Sequence, residues 1–507
     1  MHSDSARRAG RGILSITGSK VYFLIAGYAS QLLMPRLLGS PEAFGLFSAV
    51  LSFVSILNNV LIGASVQVVS KRVSERPDRA ENTLRQALEI QLSLGLVLSG
   101  ALFFCAPILA RDVLLDPLMT PLFRVASTIV LAYALYTAFV GTLNGRQQFL
   151  TQARFDMGYT TMRTGSMIGA AALGLGAIGV LSGFAIASWS VLVISAFVVG
   201  LGKSDVRRGY ASWLKFMAPL WLYQLCNNLI LQIDVTLLKR SVAAVMQSQG
   251  ATLAVAAETA SRYVGFYRAA ENFAFVPYQL ILAVALVIFP MVSEALSLGD
   301  EAAAAGYIRN ALRFSLLVLL AVATPMAGAA NGVMRLVYPP DYAQGAPALA
   351  ILVLAMVSFA LFVLAATIMT GAGKPALAAG VGLVAVLVVV FGNLGFVQYV
   401  GVGDRTLMAA ASGTALGTVV GMLAMGYAVY ARFGTFIPPA TVVRGLIAGG
   451  VGFSVAKAIT RPGAVFTLLA LVGGALAYAL VLFALRECTG QDFATIKRLT
   501  QRKRAGE

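Results

Sequence analysis

The sequence predicts an all-α polytopic membrane protein with about 14 transmembrane helices, built as two parallel pseudo-symmetric six-helix halves plus two C-terminal helices. Three observations predict it: an apolar composition, apolar windows recurring at membrane-spanning length, and an internal echo between the halves. Of 507 residues, 59% are hydrophobic and 12% charged, and the mean hydropathy is +0.82. A soluble domain carries about 25% charged residues.

A helix crossing about 30 Å of hydrocarbon needs about 20 mostly apolar residues. Such windows in the first half run Ile13 to Met34, Ala43 to Val69, Ala87 to Ala110, Pro121 to Gly141, Thr160 to Gly179 and Val180 to Leu201. Those of the second run Leu214 to Leu237, Gly265 to Val292, Ala311 to Ala330, Ala346 to Thr370, Ala376 to Val400 and Thr406 to Tyr430. Two more, Thr441 to Ile459 and Val465 to Leu485, follow. The domain plan is therefore a tail at 1–12, a first half at 13–202, a linker at 203–213, a second half at 214–430, two added helices within 441–485 and a basic tail at 486–507. The opening apolar stretch is too long for a signal-peptide core and lacks a small-residue cleavage site, so it is read as a span.

Basic residues set the orientation. With the N-terminus inside, 25 of the 38 Lys and Arg fall in cytoplasmic segments and 11 outside, which predicts that both termini are cytoplasmic. The net charge of +17 is spread over many short loops. That distribution suits topology and anionic lipid rather than nucleic acid, and no nucleic-acid partner is expected.

Several chemistries are excluded. The three cysteines, Cys105, Cys226 and Cys488, have no disulfide or zinc spacing, and His2 is the single histidine. No catalytic set, metal site or cofactor is expected. Gly371-Ala372-Gly373-Lys374-Pro375 lacks the phosphate-loop spacing and ends in proline, so it reads as a turn between spans and not as an ATP site. Neither a soluble catalytic domain nor an acidic pair of glycosyltransferase type is present. Transport remains.

The echo places the substrate. Phe44-Gly45-Leu46-Phe47-Ser48-Ala49 recurs 220 residues later as Val264-Gly265-Phe266-Tyr267-Arg268-Ala269, and Leu143-Asn144-Gly145-Arg146 is matched by Met369-Thr370-Gly371-Ala372. Repeats of this kind put substrate at the interface of halves that rock between two open states.

Polar faces name the lining helices. At about 100° per residue, Arg268, Glu271, Asn272 and Gln279 share one face of the eighth span. The seventh turns Tyr223, Gln224, Asn227, Asn228, Gln232 and Asp234 to one side, the second Ser48, Ser52, Ser55, Asn59 and Gln67, the first Thr17, Lys20, Tyr28 and Gln31. Ionisable residues at membrane depth are functional candidates by default. The expected cavity set is Lys20, Gln31, Asn59, Gln224, Asn227, Asn228, Gln232, Arg268, Asn272 and Gln279, with Asp234 and Glu271 as ion-coupling candidates. Structural alternatives stand beside these roles: serine and glycine stripes serve close packing, Lys20 can snorkel, and Arg268 can pair with Glu271 or Asp234. Arg124 and Arg163, near span ends, read as snorkelling or orienting residues.

The run Val264 to Asn272, with Pro277 and Phe289-Pro290-Met291-Val292-Ser293, resembles the eighth-span pattern of polysaccharide flippases in the multidrug/oligosaccharidyl-lipid/polysaccharide exporter superfamily. Ile233-Asp234, Arg36-Leu37-Leu38-Gly39 with Phe44-Gly45-Leu46-Phe47, and Tyr342 before Ala348-Leu349-Ala350-Ile351-Leu352 extend the resemblance over most of spans one to twelve.

The resemblance implies a flippase moving prenyl-diphosphate-linked oligosaccharide across a prokaryotic cytoplasmic membrane by alternating access. Its alternatives within the superfamily are a lipid II flippase and a cation-coupled multidrug extruder. The arginine-rich opening expected of lipid II flippases is absent from the first two spans, although the two added C-terminal helices suit that group, and Lys20 and Arg268 set against Asp234 and Glu271 suit a diphosphate sugar better than a drug cation. Without an ATP site, an H+ or Na+ gradient is the expected driver. Membrane lipid, a polysaccharide polymerase and glycosyltransferases are the partners this reading implies, and a monomer is expected. A membrane scaffold that translocates nothing is the reading from another class.

Overall fold

A computed structural model describes residues 18, 22–23, 25–203 and 211–487. The tail at 1–12, Lys20, most of the linker and the tail after Glu487 lie outside the described residues. Every regular element among those described is a helix. The first, α1, is helical over 25–37. It is followed by α2 (Pro41–Glu75), α3 (Ala80–Ile108), α4 (Thr120–Gly145), α5 (Phe149–Ala172), α6 (Gly176–Val199), α7 (Ala211–Ser248), α8 (Leu253–Ala274) and α9 (Val276–Ser297). Then come α10 (Glu301–Gly328), α11 (Ala330–Val337), α12 (Ala346–Gly371), α13 (Pro375–Val400), α14 (Thr406–Phe433), α15 (Pro439–Ile459) and α16 (Ala464–Ala484).

Ten of these helices, namely α2 to α4, α6, α10 and α12 to α16, are long and apolar enough to cross a membrane among the described residues. The four further spans read from the sequence fall on α1, α5, α7 and the α8–α9 pair. Of these, α5, α7 and α8 carry the buried charges and amides described below, which is why apolar windows mark them poorly.

Local chemistry sets the boundaries. At the start of α2 the Ser40 hydroxyl accepts the Ala43 N–H at 3.1 Å and Pro41 takes the first turn. Asp300 caps α10 in the same way through Ala303 N–H at 2.8 Å. Between α12 and α13, Gly373 adopts φ +77 and Pro375 opens the next helix, so the glycine-rich pentapeptide is a helix-to-helix turn.

Several boundaries differ from those read on hydropathy. Helix α5 starts at Phe149, eleven residues before the apolar window, and α6 begins after a break at Leu173 to Leu175. Helix α7 continues past Leu237 to Ser248, turning what read as an external loop into helix. The eighth span is two helices interrupted at Phe275, with Pro277 in the first turn of α9. Proline there has no N–H to continue the ladder and its ring opposes the preceding turn.

The chain forms two compact units, Met1–Asn272 with Val386–Gly413 and Phe273–Ala385 with Thr414–Glu507. In the first, α2 packs against α4 and α7, α3 against α4, and α6 against α4 and α5. In the second, α12 packs against α9 and α10, while α15 lies against α10 and α16. Helix α12 is apolar on all sides and is correspondingly buried.

Candidate functional site

The two echoed glycines meet. A methyl group added to Gly45 would fall 1.8 Å from the Ser261 carbonyl oxygen, and one added to Gly265 2.2 Å from that of Pro41. Helices α2 and α8 therefore cross backbone against backbone, a contact open only to glycine. The crossing brings Arg268, one turn along α8, to a cavity of the first unit.

That cavity is about 390 Å³ and is lined from α1, α2, α4, α5, α6 and α8. Gln31, Asn59 and Arg268 of the expected set line it. Asn59 donates to Asn228 at 2.7 Å, and Asn228 in turn donates to the Gln224 carbonyl at 2.8 Å. The Gln224 amide packs on the backbone of Gly63, where a methyl group would lie 2.1 Å from its Nε2. The polar face of α7 thus reaches the cavity through α2. Asn227 is half-buried on α7, and its Oδ1 has no hydrogen-bond donor among the described residues. Asn272 is buried on α8.

Arg268 is 4% exposed and is held from two sides. It donates to Glu271 Oε2 at 2.8 Å and to Gln232 Oε1 at 3.2 Å. Asp234 accepts from the Tyr267 hydroxyl at 2.9 Å and from the Val235 N–H at 2.9 Å, and Glu271 is within hydrogen-bond reach of it. The i, i+3 pair read as a structural alternative is therefore formed, inside a larger cluster with two carboxylates and one guanidinium. Gln279 lies beyond the break at Phe275, on α9, so the four-residue stripe is not one continuous helical face.

The sequence reading missed the opposite wall. Arg163 of α5 lines the cavity with Asp156 and Tyr159 of the same helix, Tyr133 and Tyr136 of α4, and Phe184 of α6. Its guanidinium lies 5.4 Å from the ring centres of Phe23 and Phe184 and 5.9 Å from that of Tyr159. The Tyr133 and Tyr159 hydroxyls, which also line the cavity, hydrogen-bond each other. Because the apolar window begins at Thr160, Arg163 looks like a first-turn residue free to snorkel. With α5 starting at Phe149 it sits mid-helix. The signal was present as Asp156, Tyr159 and Arg163 at i, i+3 and i+7, one face of a helix.

Lys239 was the second omission. Placed in a loop by hydropathy, it is fully buried in α7, paired to Asp116 Oδ2 at 2.8 Å and hydrogen-bonded to Ser261 Oγ at 2.6 Å. Its neighbour Arg240 donates to the Asp112 and Val113 carbonyls at 2.7 and 2.9 Å. The distal end of α7 is fastened to the α3–α4 connection and to α8 beside the glycine crossing.

The lining combines the guanidiniums of Arg163 and Arg268 with the Asp156 carboxylate, aromatic rings and amides. Arg163 and Arg268 can meet charge, rings can stack on sugar faces, and Gln31, Asn58 and Asn59 can hydrogen-bond hydroxyls.

Helical bundles of this architecture are known among membrane flippases and exporters. The fold is similar to a lipid II flippase, MurJ, in an inward closed conformation, with a TM-score of 0.75 at 14% identity over 93% of this chain and 99% of that one. It is also similar to an inward-facing multidrug resistance MATE transporter of the MOP superfamily, with a TM-score of 0.64 at 16% identity over 81% and 94% of the two chains. A MOP superfamily transporter from Pyrococcus furiosus, described as having a binding pocket of reverse polarity, gives 0.58 at 17% identity over 84% and 95%. No curated protein sequence matches. Residues 33–347 match the model of a family described as polysaccharide biosynthesis protein, and the chain belongs to that family.

Proposed function

We propose that the protein is a flippase that carries a prenyl-diphosphate-linked oligosaccharide across the cytoplasmic membrane by alternating access. The observation that carries the reading is the first-unit cavity, where Arg163 and Arg268 flank a lining of aromatic rings and amides. A prenyl tail remains in lipid during transfer, whereas sugar and diphosphate need a hydrogen-bonding, cationic surface in place of water. Membership of a polysaccharide biosynthesis family supports the same cargo.

The Arg268 cluster supports ion coupling. Two buried carboxylates stand with one guanidinium: Glu271 pairs with Arg268 while Asp234 accepts from Tyr267, leaving a formal charge of −1 for the three groups. A bound proton or Na+ completes the neutralisation that burial demands, and its binding and release would couple an ion gradient to transport.

Proteoliposomes loaded with a fluorescent prenyl-diphosphate oligosaccharide test the reading. Protein-dependent exposure of the sugar, stimulated by a proton or sodium gradient, is expected. No exposure under any gradient leaves the scaffold reading, and uptake of an organic cation in its place leaves the extruder reading. Unchanged transport and ion dependence in the Asp234→Asn, Glu271→Gln double variant would remove the coupling step alone.

A further inference from the structure

The second unit holds a cavity of about 510 Å³ where the α10–α11 junction meets the turn between α15 and α16. Three exposed cations from separate positions line it: Arg335 in the last turn of α11, Lys457 in the last turn of α15, over the Phe453 ring at 5.9 Å, and Arg461 in the turn beyond, over the Phe466 ring at 6.0 Å. No carboxylate lines it, and none of the three forms an ion pair among the described residues. Like charges gathered without a counter-charge repel one another, so an anion of matching charge lowers the energy of the arrangement.

Two further features favour an anion. Helix α16 opens into the cavity at Gly463 and Ala464, and no side chain caps its first turn, so its N–H groups are available. The floor is kept low by Gly332, where a methyl group would lie 2.5 Å from the Thr467 hydroxyl oxygen. Asn331 and Thr460 add polar groups at the rim.

The surroundings narrow the ligand. Val465, Leu468 and Leu469 on α16, just beyond the cavity, are more than half exposed on a helix apolar enough to cross a membrane. An amphiphile can lay its hydrocarbon against these residues while its phosphate sits among the cations. From these observations we infer that the cavity is a binding site for the phosphate group of a membrane amphiphile, either an anionic phospholipid or a prenyl diphosphate. The site is separate from the first-unit cavity and does not depend on what that cavity carries. Ordinary snorkelling of basic residues would instead give diffuse, unsaturable contact with headgroups.

The test uses the full chain, purified in uncharged detergent and stripped of lipid. It is titrated separately with phosphatidylglycerol, phosphatidylcholine, farnesyl diphosphate and inorganic diphosphate, and adducts are counted by native mass spectrometry. One saturable adduct with phosphatidylglycerol assigns the site to phospholipid, and one with the two diphosphates alone assigns it to the prenyl diphosphate. In either case the Arg335→Gln, Lys457→Gln, Arg461→Gln variant should bind more weakly by on the order of a hundredfold, while Lys374→Gln binds like the wild type. Equal retention of phosphatidylcholine, or unchanged binding by the triple variant, overturns the proposal. Acylation of Lys457, read by peptide mass spectrometry on the wild-type protein, is a second measurement that needs no variant. The bound ligand should slow it severalfold, and equal labelling with and without ligand also overturns the site.

Discussion

Arg163 and Lys239 show how much one misplaced boundary conceals. Both are charged residues that hydropathy sets at the edge of a span, and both are built into helices with their charge buried or enclosed. Arg163→Gln removes the cavity's α5 cation and its contacts with the Phe23, Tyr159 and Phe184 rings while keeping a polar side chain. Loss of a charge-assisted contact of about 1.5–3 kcal/mol predicts a fall in translocation of roughly tenfold to a hundredfold, measured in the proteoliposome assay. Arg124→Gln, an exposed arginine over the Phe103 ring and outside the first-unit cavity, should leave the rate near wild type. Lys239→Ala leaves Asp116 buried without its cation and should cost about 3–5 kcal/mol. The thermal midpoint of the purified protein should fall accordingly, and a Lys239→Met, Asp116→Leu pair should recover most of the loss because no uncompensated charge remains.

At the scale of elements, the sequence echo acquires a physical cause. Gly45 and Gly265 recur because two helices must approach until their backbones touch, and the aromatic and small residues around them pack that crossing. Overpacking costs about 1–3 kcal/mol, so Gly45→Ala and Gly265→Ala should each lower the thermal midpoint. Gly450→Ala, on an exposed face of α15 with nothing within 4 Å, should not.

A second junction ties helices together through one carboxylate. Glu487, just beyond α16, is 3% exposed and accepts from Arg313 of α10 at 2.8 Å, and from Thr441 and Arg444 of α15 at 2.6 and 2.8 Å. Burial pushes this carboxyl up, but the hydrogen bonds from Thr441, Arg444 and Arg313 outweigh it and hold it below the usual glutamate range. The folded protein therefore keeps Glu487 ionised to lower pH than the unfolded chain does. The stabilisation is complete above the usual glutamate range and is lost as pH falls through the lowered folded value. Glu487→Gln should lower the thermal midpoint at neutral pH and flatten its decline on acidification, as a pH series of melting curves would read.

At the scale of the whole molecule, the chain is a multi-pass membrane protein with the fold of the flippases and exporters above. Its orientation is a proposal resting on charge: 25 basic residues on one face of the topology against 11 on the other. A cytoplasm-active reporter fused after residue 507 should be active and a periplasm-active one silent, and the reverse result would invert the topology. A monomeric mass by light scattering in detergent is expected, because the first-unit cavity is enclosed by one chain.

Fold class and family were legible in the sequence because both rest on features that survive linear reading. Apolar windows have a length dictated by the bilayer, and a six-residue echo keeps its spacing whatever the packing. Part of the cavity was legible too, since Asn59, Gln31 and Arg268 stand out as polar residues within apolar runs. Only the tertiary structure decided the rest. Where α5 and α7 begin and end, which charges they bury, and that Gly45 lies on Gly265's helix depend on contacts between segments far apart in the chain. Hydropathy averages a charge with its neighbours and assigns it to water, whereas packing can supply Asp116 to Lys239, or a cage of rings to Arg163, and keep the charge inside.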